Sequence, residues 1–432
     1  LLGNVACTRF TEPCRLVTED TTFSDPSLSG QSPTLFEGPA GDTVVEYIEW
    51  TASGQATDGG VDGGDASGEA GTTGGLGGFS SLTNVPVGAR IVSVSGDGTV
   101  AIRRFPAPAE LSARAGSTTN IDVTYTGAGL LFSWVEERVR TDTNGLVHKD
   151  ATLRFSYASE AGAAPASSPP GGACQDCAIV TATAASRTST YVFFNVTGAG
   201  AATAAGGLVR LSADGRTTSY GARPAWLGKG GLPQFRSSNG AVVAFTGGSV
   251  VVVDDDLLPI GGPFSTGGAF AAVVWEPGAP YGVWLDSGAG AGASQGGLAF
   301  PTLLDAGTTP EANPVNSTGA NDLGSVSGTG ADLLLGRFAS ARPPTRITTA
   351  SSVHGVARDG DVYGISFAAG GRDYFALTNA LGEKRGGDVD IGAASNLLGA
   401  SGGRSVHRSA PGRFRVLALA GTALLTREVS CE

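Results

Sequence analysis

Methionine is missing from all 432 residues, histidine occurs three times (His148, His354 and His407), and only 16% of the chain is charged. Without methionine the chain does not start at an initiator, and removal of an N-terminal signal segment is the simplest expectation. Three dispersed histidines cannot supply the His pair of a zinc finger, and there is no second CxxC for a zinc ribbon. The 28 Lys and Arg are outnumbered by 39 Asp and Glu, a net charge of −11, and they are scattered rather than striped. That excludes the electrostatic footprint of nucleic-acid binding and disfavours an anionic membrane surface. No apolar pattern of helical period extends over 12 residues. The apolar run over residues 414–425 is broken by Arg415 and Gly421 and is too short to cross a ~30 Å hydrocarbon core, so no transmembrane helix is expected.

Glycine, in contrast, is abundant: 68 residues, with no Gly-X-Y period, which rules out a collagen-like helix. At 41% hydrophobic content the chain has too many apolar residues for an acidic disordered protein. A folded, loop-rich β protein remains. Four Gly/Ala-rich inserts, residues 54–78, 161–172, 198–207 and 288–297, have little to bury and read as surface loops.

Between these inserts one pattern recurs: a short apolar or alternating strand, a turn rich in Gly, Asp or Asn, and another short strand. Thr43-Val-Val-Glu-Tyr-Ile-Glu-Trp50 alternates cleanly. Residues 90–95 turn through Gly96-Asp97-Gly98 into 99–103, where Asp-Gly accepts the positive φ of a tight hairpin. Residues 130–134 pair with 153–157 across a tip containing Asp142-Thr-Asn-Gly145. Further hairpins fall at 241–253, 270–285, 362–377 and 414–426. These eight or nine units lie at irregular spacings, which a radial repeat explains better than a β-helix with its fixed rung. At ~40–50 residues per four-stranded blade, the chain after residue 40 supplies about seven blades. The expected organisation is an extended N-terminal arm over 1–40 and an all-β propeller over 41–432. Small-residue segments such as Ala241-Val-Val-Ala and Ala269-Phe-Ala-Ala-Val are expected on the strands nearest the crowded axis. The alternative is two β-sandwich domains joined by the linker 161–172.

Asp359-Gly-Asp-Val-Tyr-Gly-Ile-Ser-Phe367, with Arg372-Asp-Tyr-Phe-Ala-Leu-Thr-Asn-Ala-Leu-Gly382, resembles the degenerate blades of large secreted bacterial β-propellers. Leu208-Val-Arg-Leu-Ser-Ala-Asp-Gly215 is similar in its strand and Asp-Gly turn. The resemblance implies a fold and an extracytoplasmic location, not an activity. The WD dipeptide and the kelch signature are not met, so no subfamily is implied.

The five cysteines, Cys7, Cys14, Cys174, Cys177 and Cys431, lie at the two ends and in one Gly/Pro-rich loop, which suits disulfides in an oxidising compartment. Cys174-Gln-Asp-Cys177 lacks the βαβ context of a thioredoxin-like motif and reads as a local disulfide. A bond from Cys7 or Cys14 to Cys431 would close a ring covalently. The odd cysteine leaves a free thiol, an intermolecular bond, or lipidation of Cys7, whose preceding residues match a lipobox only in Ala6.

Candidate chemistry is sparse. Asp58, Asp62, Asp65 and Glu69, interleaved with glycine, could wrap a Ca²⁺, although the spacing is that of neither an EF-hand nor a calcium nonapeptide, and a solvated acidic loop is the competing reading. Asp254-Asp255-Asp256 either binds a cation at a propeller rim or ends a strand and blunts its edge. Gly399-Ala-Ser401-Gly-Gly403 fits a nucleophile elbow but lacks the strand-to-helix turn that motif needs. Glu46, Glu49, Glu136, Glu137 and Glu276 lie on or beside strands, where some could face a channel as a glycosidase pair. Trp50, Trp134, Trp226, Trp275 and Trp284 could stack sugars or fill the core. Asn195-Val-Thr197 and Asn316-Ser-Thr318 fit the glycosylation sequon. The expectation is a secreted, periplasmic or cell-surface propeller that binds a protein or glycan without catalysis. A carbohydrate-active enzyme and a subunit of a surface assembly, self-associating through the N-terminal arm, are the alternatives.

Overall fold

The computed structural model describes residues 13–28, 34–37, 43–51, 85–95, 97–113, 118–186, 188–198, 206–224, 226, 234–238, 241–246, 249–265, 269–274, 281–286, 331–337, 345–379, 381–393 and 406–431. They form seven consecutive antiparallel sheets and one short helix, Ala109–Ala113. Blade 1 is Thr34–Glu37, Thr43–Thr51, Val85–Val94 and Val100–Pro106; blade 2 begins with Thr118–Tyr125, Leu130–Thr141 and Val147–Ser159. Blades 3 to 6 follow as four-stranded meanders starting at Ala178, Gln234, Ala269 and Ser352. Blade 7 takes three strands from the C-terminus, Val406–Ala410, Arg413–Ala420 and Ala423–Ser430. Its outermost strand is Arg15–Ser24.

Chain order, with both termini meeting in one sheet, makes this a seven-bladed β-propeller, and the two-sandwich alternative falls. Apolar seams run between neighbouring blades. Phe105 and Trp134 join blades 1 and 2, Val135 and Phe194 blades 2 and 3, and Phe193 and Val242 blades 3 and 4. Leu335 and Phe367 join blades 5 and 6, and Phe375 and Phe414 blades 6 and 7. Tyr47 and Leu417 close blade 7 onto blade 1. Each fully buried Phe contributes ~1.5–3 kcal/mol of transfer free energy to its seam. The second strand of a blade is covered on both faces, which is why Ser189–Thr197 and Val362–Ala369 are buried almost end to end. The same holds for Val44 through Glu49, buried on both faces although the segment alternates cleanly in sequence.

Several expectations change in detail. Of the stretch read as an N-terminal arm, Arg15–Ser24 and Thr34–Glu37 are strands of blades 7 and 1. Ala269–Val274 is the innermost strand of blade 5, whereas Ala241–Thr246 is second in blade 4. Residues 161–172 are no linker: Gly162–Ala163 pairs with Val147–Ser159, Ser167 bridges Phe155, and Ala163 and Ala166 pack on the Phe105 cluster. Their small side chains let the backbone lie flat along the outer edge of blade 2. Gly206 and Gly207 likewise begin a strand of blade 3. Across the ring, Thr34–Glu37 approaches Gln234–Ser238 with Cα atoms within 8 Å.

Two turn designs recur. In the first, an Asx side chain accepts the amides two and four residues on, and the residue three on takes positive φ: Asp142 with Gly145, Asp254 with Leu257, and Asn379 with Gly382. In the second, a serine hydroxyl donates to an aspartate two residues later: Ser95 to Asp97 and Ser212 to Asp214. These bonds hold the exposed Asp97 carboxyl down to about 2. The Asp-Gly and Asn-x-x-Gly signals of the sequence are these turns.

Candidate functional site

The strand carboxylates that could have formed a catalytic pair are mostly committed to arginine and lysine. Glu49 is buried and paired with Arg90 and, at 2.6 Å, with Arg104. Glu136 pairs with Arg154 at 3.4 Å and Glu137 with Lys149 at 2.8 Å. Asp25 accepts the Tyr47 hydroxyl at 2.7 Å and pairs with Arg90, so that one guanidinium joins two buried acids at the closing seam.

Glu46 differs. Its side chain faces blade 2, where burial, reinforced by the charge of Asp122, holds its carboxyl well above the usual range although the Tyr125 amide hydrogen-bonds to it. Its Oε2 is buried without a hydrogen-bond partner. Asp122, on the inner strand of blade 2, accepts the Thr183 hydroxyl from the inner strand of blade 3. A carboxyl of raised proton affinity near a second carboxyl is what an acid/base pair requires. Glu46 is only 2% exposed, however, and its shift reflects the cost of burying a charge.

Trp134 is fully buried in the seam between blades 1 and 2, and Trp226 donates to the Leu257 carbonyl while packing edge-on against Phe193. Trp50 packs against the blade 1–2 core. Asp254 caps its turn and Asp256 pairs with Arg210 of blade 3 at 2.9 Å, so this acidic run fastens two blades. Asn195 is buried and accepts from Arg223 at 2.6 Å, a structural role that leaves its sequon unavailable. Asp58, Asp62, Asp65, Glu69, Glu276, Trp275, Asn316, Ser401 and Cys7, and the side chain of Trp284, lie outside the described residues. Among the described residues no three metal-ligating side chains converge.

Two disulfides form. Cys14–Cys431 ties the outermost strand of blade 7 to the C-terminus, as one of the two anticipated closures, and Cys174–Cys177 forms a loop on blade 2. An ionic chain, buried at all but its last member, crosses from blade 6 to the N-terminal strand: His354 to Asp373 at 3.2 Å, Asp373 to Arg427 at 2.8 Å, and Arg427 to the exposed Glu19 at 2.6 Å. Burial pushes the His354 imidazole below its ordinary value, with Asp373 opposing.

The hairpin of blade 2 carries exposed apolar side chains. Its strands of 12 and 13 residues outrun their neighbours, because the inner strand stops pairing at Glu136. The far half carries Val139, Leu146 and Val147 at 66%, 61% and 70% exposure. His148 pins this half to the disulfide loop: Nδ1 lies 2.7 Å from Asp176 and Nε2 3.3 Å from Asp142 of the hairpin turn. An ionised carboxylate only accepts, and a neutral imidazole has a single N–H, so both contacts together require imidazolium. The two aspartates accordingly raise the His148 pKa. Sequence reasoning read the tip of this hairpin but not its reach. The usable signal was the length of the two strands on either side of Asp142-Thr-Asn-Gly145.

No family model and no curated protein matches the chain. Among solved structures it is similar to the Pan2 WD40 domain of Neurospora crassa, at 10% identity and TM-score 0.40, covering 96% of this chain and 97% of that one. It is also similar to the polysaccharide lyase Uly1, at 9% identity and TM-score 0.34, covering 97% and 100%. The Bombyx mori GH32 β-fructofuranosidase BmSUC1 follows at 9% identity and TM-score 0.30, covering 96% and 92%. None of these overlaps is close enough to bear on what this chain does.

Proposed function

We propose that the protein is a secreted or cell-surface β-propeller that works as a binding scaffold without catalysis. The observation that supports this most directly is the commitment of Glu49, Glu136 and Glu137 to ion pairs within and between strands. A carboxylate locked to a guanidinium is a poor proton donor or nucleophile. The two disulfides suit an oxidising compartment, and no described helix is long and apolar enough to cross a membrane. A glycan array combined with a reducing-sugar release assay tests the reading: binding without release is expected if the partner is a glycan, and silence in both if it is a protein. Release of sugar that Glu46→Gln abolishes would replace the scaffold by the carbohydrate-active reading, which the raised pKa of Glu46 near Asp122 favours.

A further inference from the structure

Resting on the scaffold reading, the structure also offers a partner. Two exposed strand edges of this chain are complementary. The first is residues 138–141 on the blade 2 hairpin, an edge with which no described strand pairs. Val139 lies on this edge and Val147, on the neighbouring strand, shares its face, while Arg138 points to the other face, is exposed and has no acidic partner among the described residues. The second is Arg15–Ser24, the longest outermost strand of any blade, with exposed Leu16 and Val17 and the carboxylates Glu19 and Asp20. Bulges interrupt its pairing at Val17 and Thr22, leaving residues 18–21 as a regular four-residue edge, the length of the hairpin edge. Between its two bulges the strand carries neither Lys nor Pro, and its charges there, Glu19 and Asp20, are both acidic.

We infer that the hairpin of one copy adds as a strand to the Arg15–Ser24 edge of a second copy. Backbone bonds form the ladder, the valines cover Leu16 and Val17, and Arg138 meets the exposed Asp20. The two edges are different surfaces, so the contact is heterologous and propagates into a ring or filament. An interface this small is weak in dilute solution.

The test is sedimentation velocity from low to high micromolar concentration. The wild type should gain mass with concentration and lose it as salt is raised, because the paired charges are exposed. Val139→Asp with Val147→Asp, and separately Val17→Lys with Asp20→Lys, should each stay monomeric, with circular dichroism confirming the fold, since all four positions are exposed. Mixed one to one, the two variants should form a heterodimer and nothing larger. A wild type monomeric throughout, a hairpin variant that associates like wild type, or a mixture that stays monomeric while wild type associates would overturn the inference. Sugar release would instead overturn the scaffold reading, whatever the oligomeric state.

Discussion

The closing seam of the ring and the hairpin of blade 2 use the same two devices, a disulfide and a charged clamp, to opposite ends. At the seam the disulfide joins residues 417 apart in sequence, and the clamp is a buried chain through Arg427, whose side chain is 4% exposed. On the hairpin the disulfide joins residues three apart, and the clamp is the solvent-facing His148 between two aspartates. Loop-closure entropy gives about 6 kcal/mol for the first bond, beyond the ~5 kcal/mol that disulfides are seen to deliver, and about 2 for the second. The lesson is one of placement: the same chemistry secures the whole ring where it is buried and spans the chain, and shapes a local surface where it is exposed and short.

The largest effect should come from breaking that contrast at the seam. Cys14→Ser with Cys431→Ser should lose about 5 kcal/mol in guanidinium unfolding and expose residues 15–24 to protease first, whereas Cys174→Ser with Cys177→Ser should lose no more than about 2. Equal losses would show that ring closure does not depend on the long-range bond. Next, Arg427→Met leaves Asp373 buried without its cation and should cost about 3–5 kcal/mol, since removing one partner strands the other charge. A loss under 1 kcal/mol would mean that His354 compensates.

On the hairpin the effects shrink. Gly145 sits at φ 82° with nothing within 4 Å of an added Cβ, so Gly145→Ala should cost about 1 kcal/mol through backbone strain alone. The smallest effect is protonic. With its folded pKa raised, His148 contributes a clamp that is fully present below ~6.5 and is lost as pH rises through the folded value. NMR should place its midpoint above that of a free histidine, with faster amide exchange in the Cys174–Cys177 loop at higher pH. A midpoint at or below the free value would remove the clamp.

Much of the architecture was legible because each blade is a local meander. Asp-Gly and Asn-x-x-Gly punctuate it at the turns, and the hairpins over 130–157, 241–253 and 362–377 pair as their apolar runs suggest. Strand position within a blade was not legible. Ala241–Thr246 and Ala269–Val274 are equally small and apolar, yet only the second is innermost, and composition does not separate the two positions. The candidate site was less legible still. Glu49 and Glu46 stand three residues apart on one strand, and only the fold makes one the partner of Arg90 and Arg104 within its own blade and sets the other in a buried place near Asp122 of blade 2.

By itself, then, the sequence determined a repeated all-β chain with turns in place and cysteines at its ends, because strand period and turn chemistry act over a few residues. Which end cysteine closes the ring, which carboxylates are neutralised, and that Arg15–Ser24 becomes the last strand of the last blade were decided by tertiary structure alone. Those contacts join residues from 12 to 417 positions apart, beyond the few residues over which strand period and turn chemistry act.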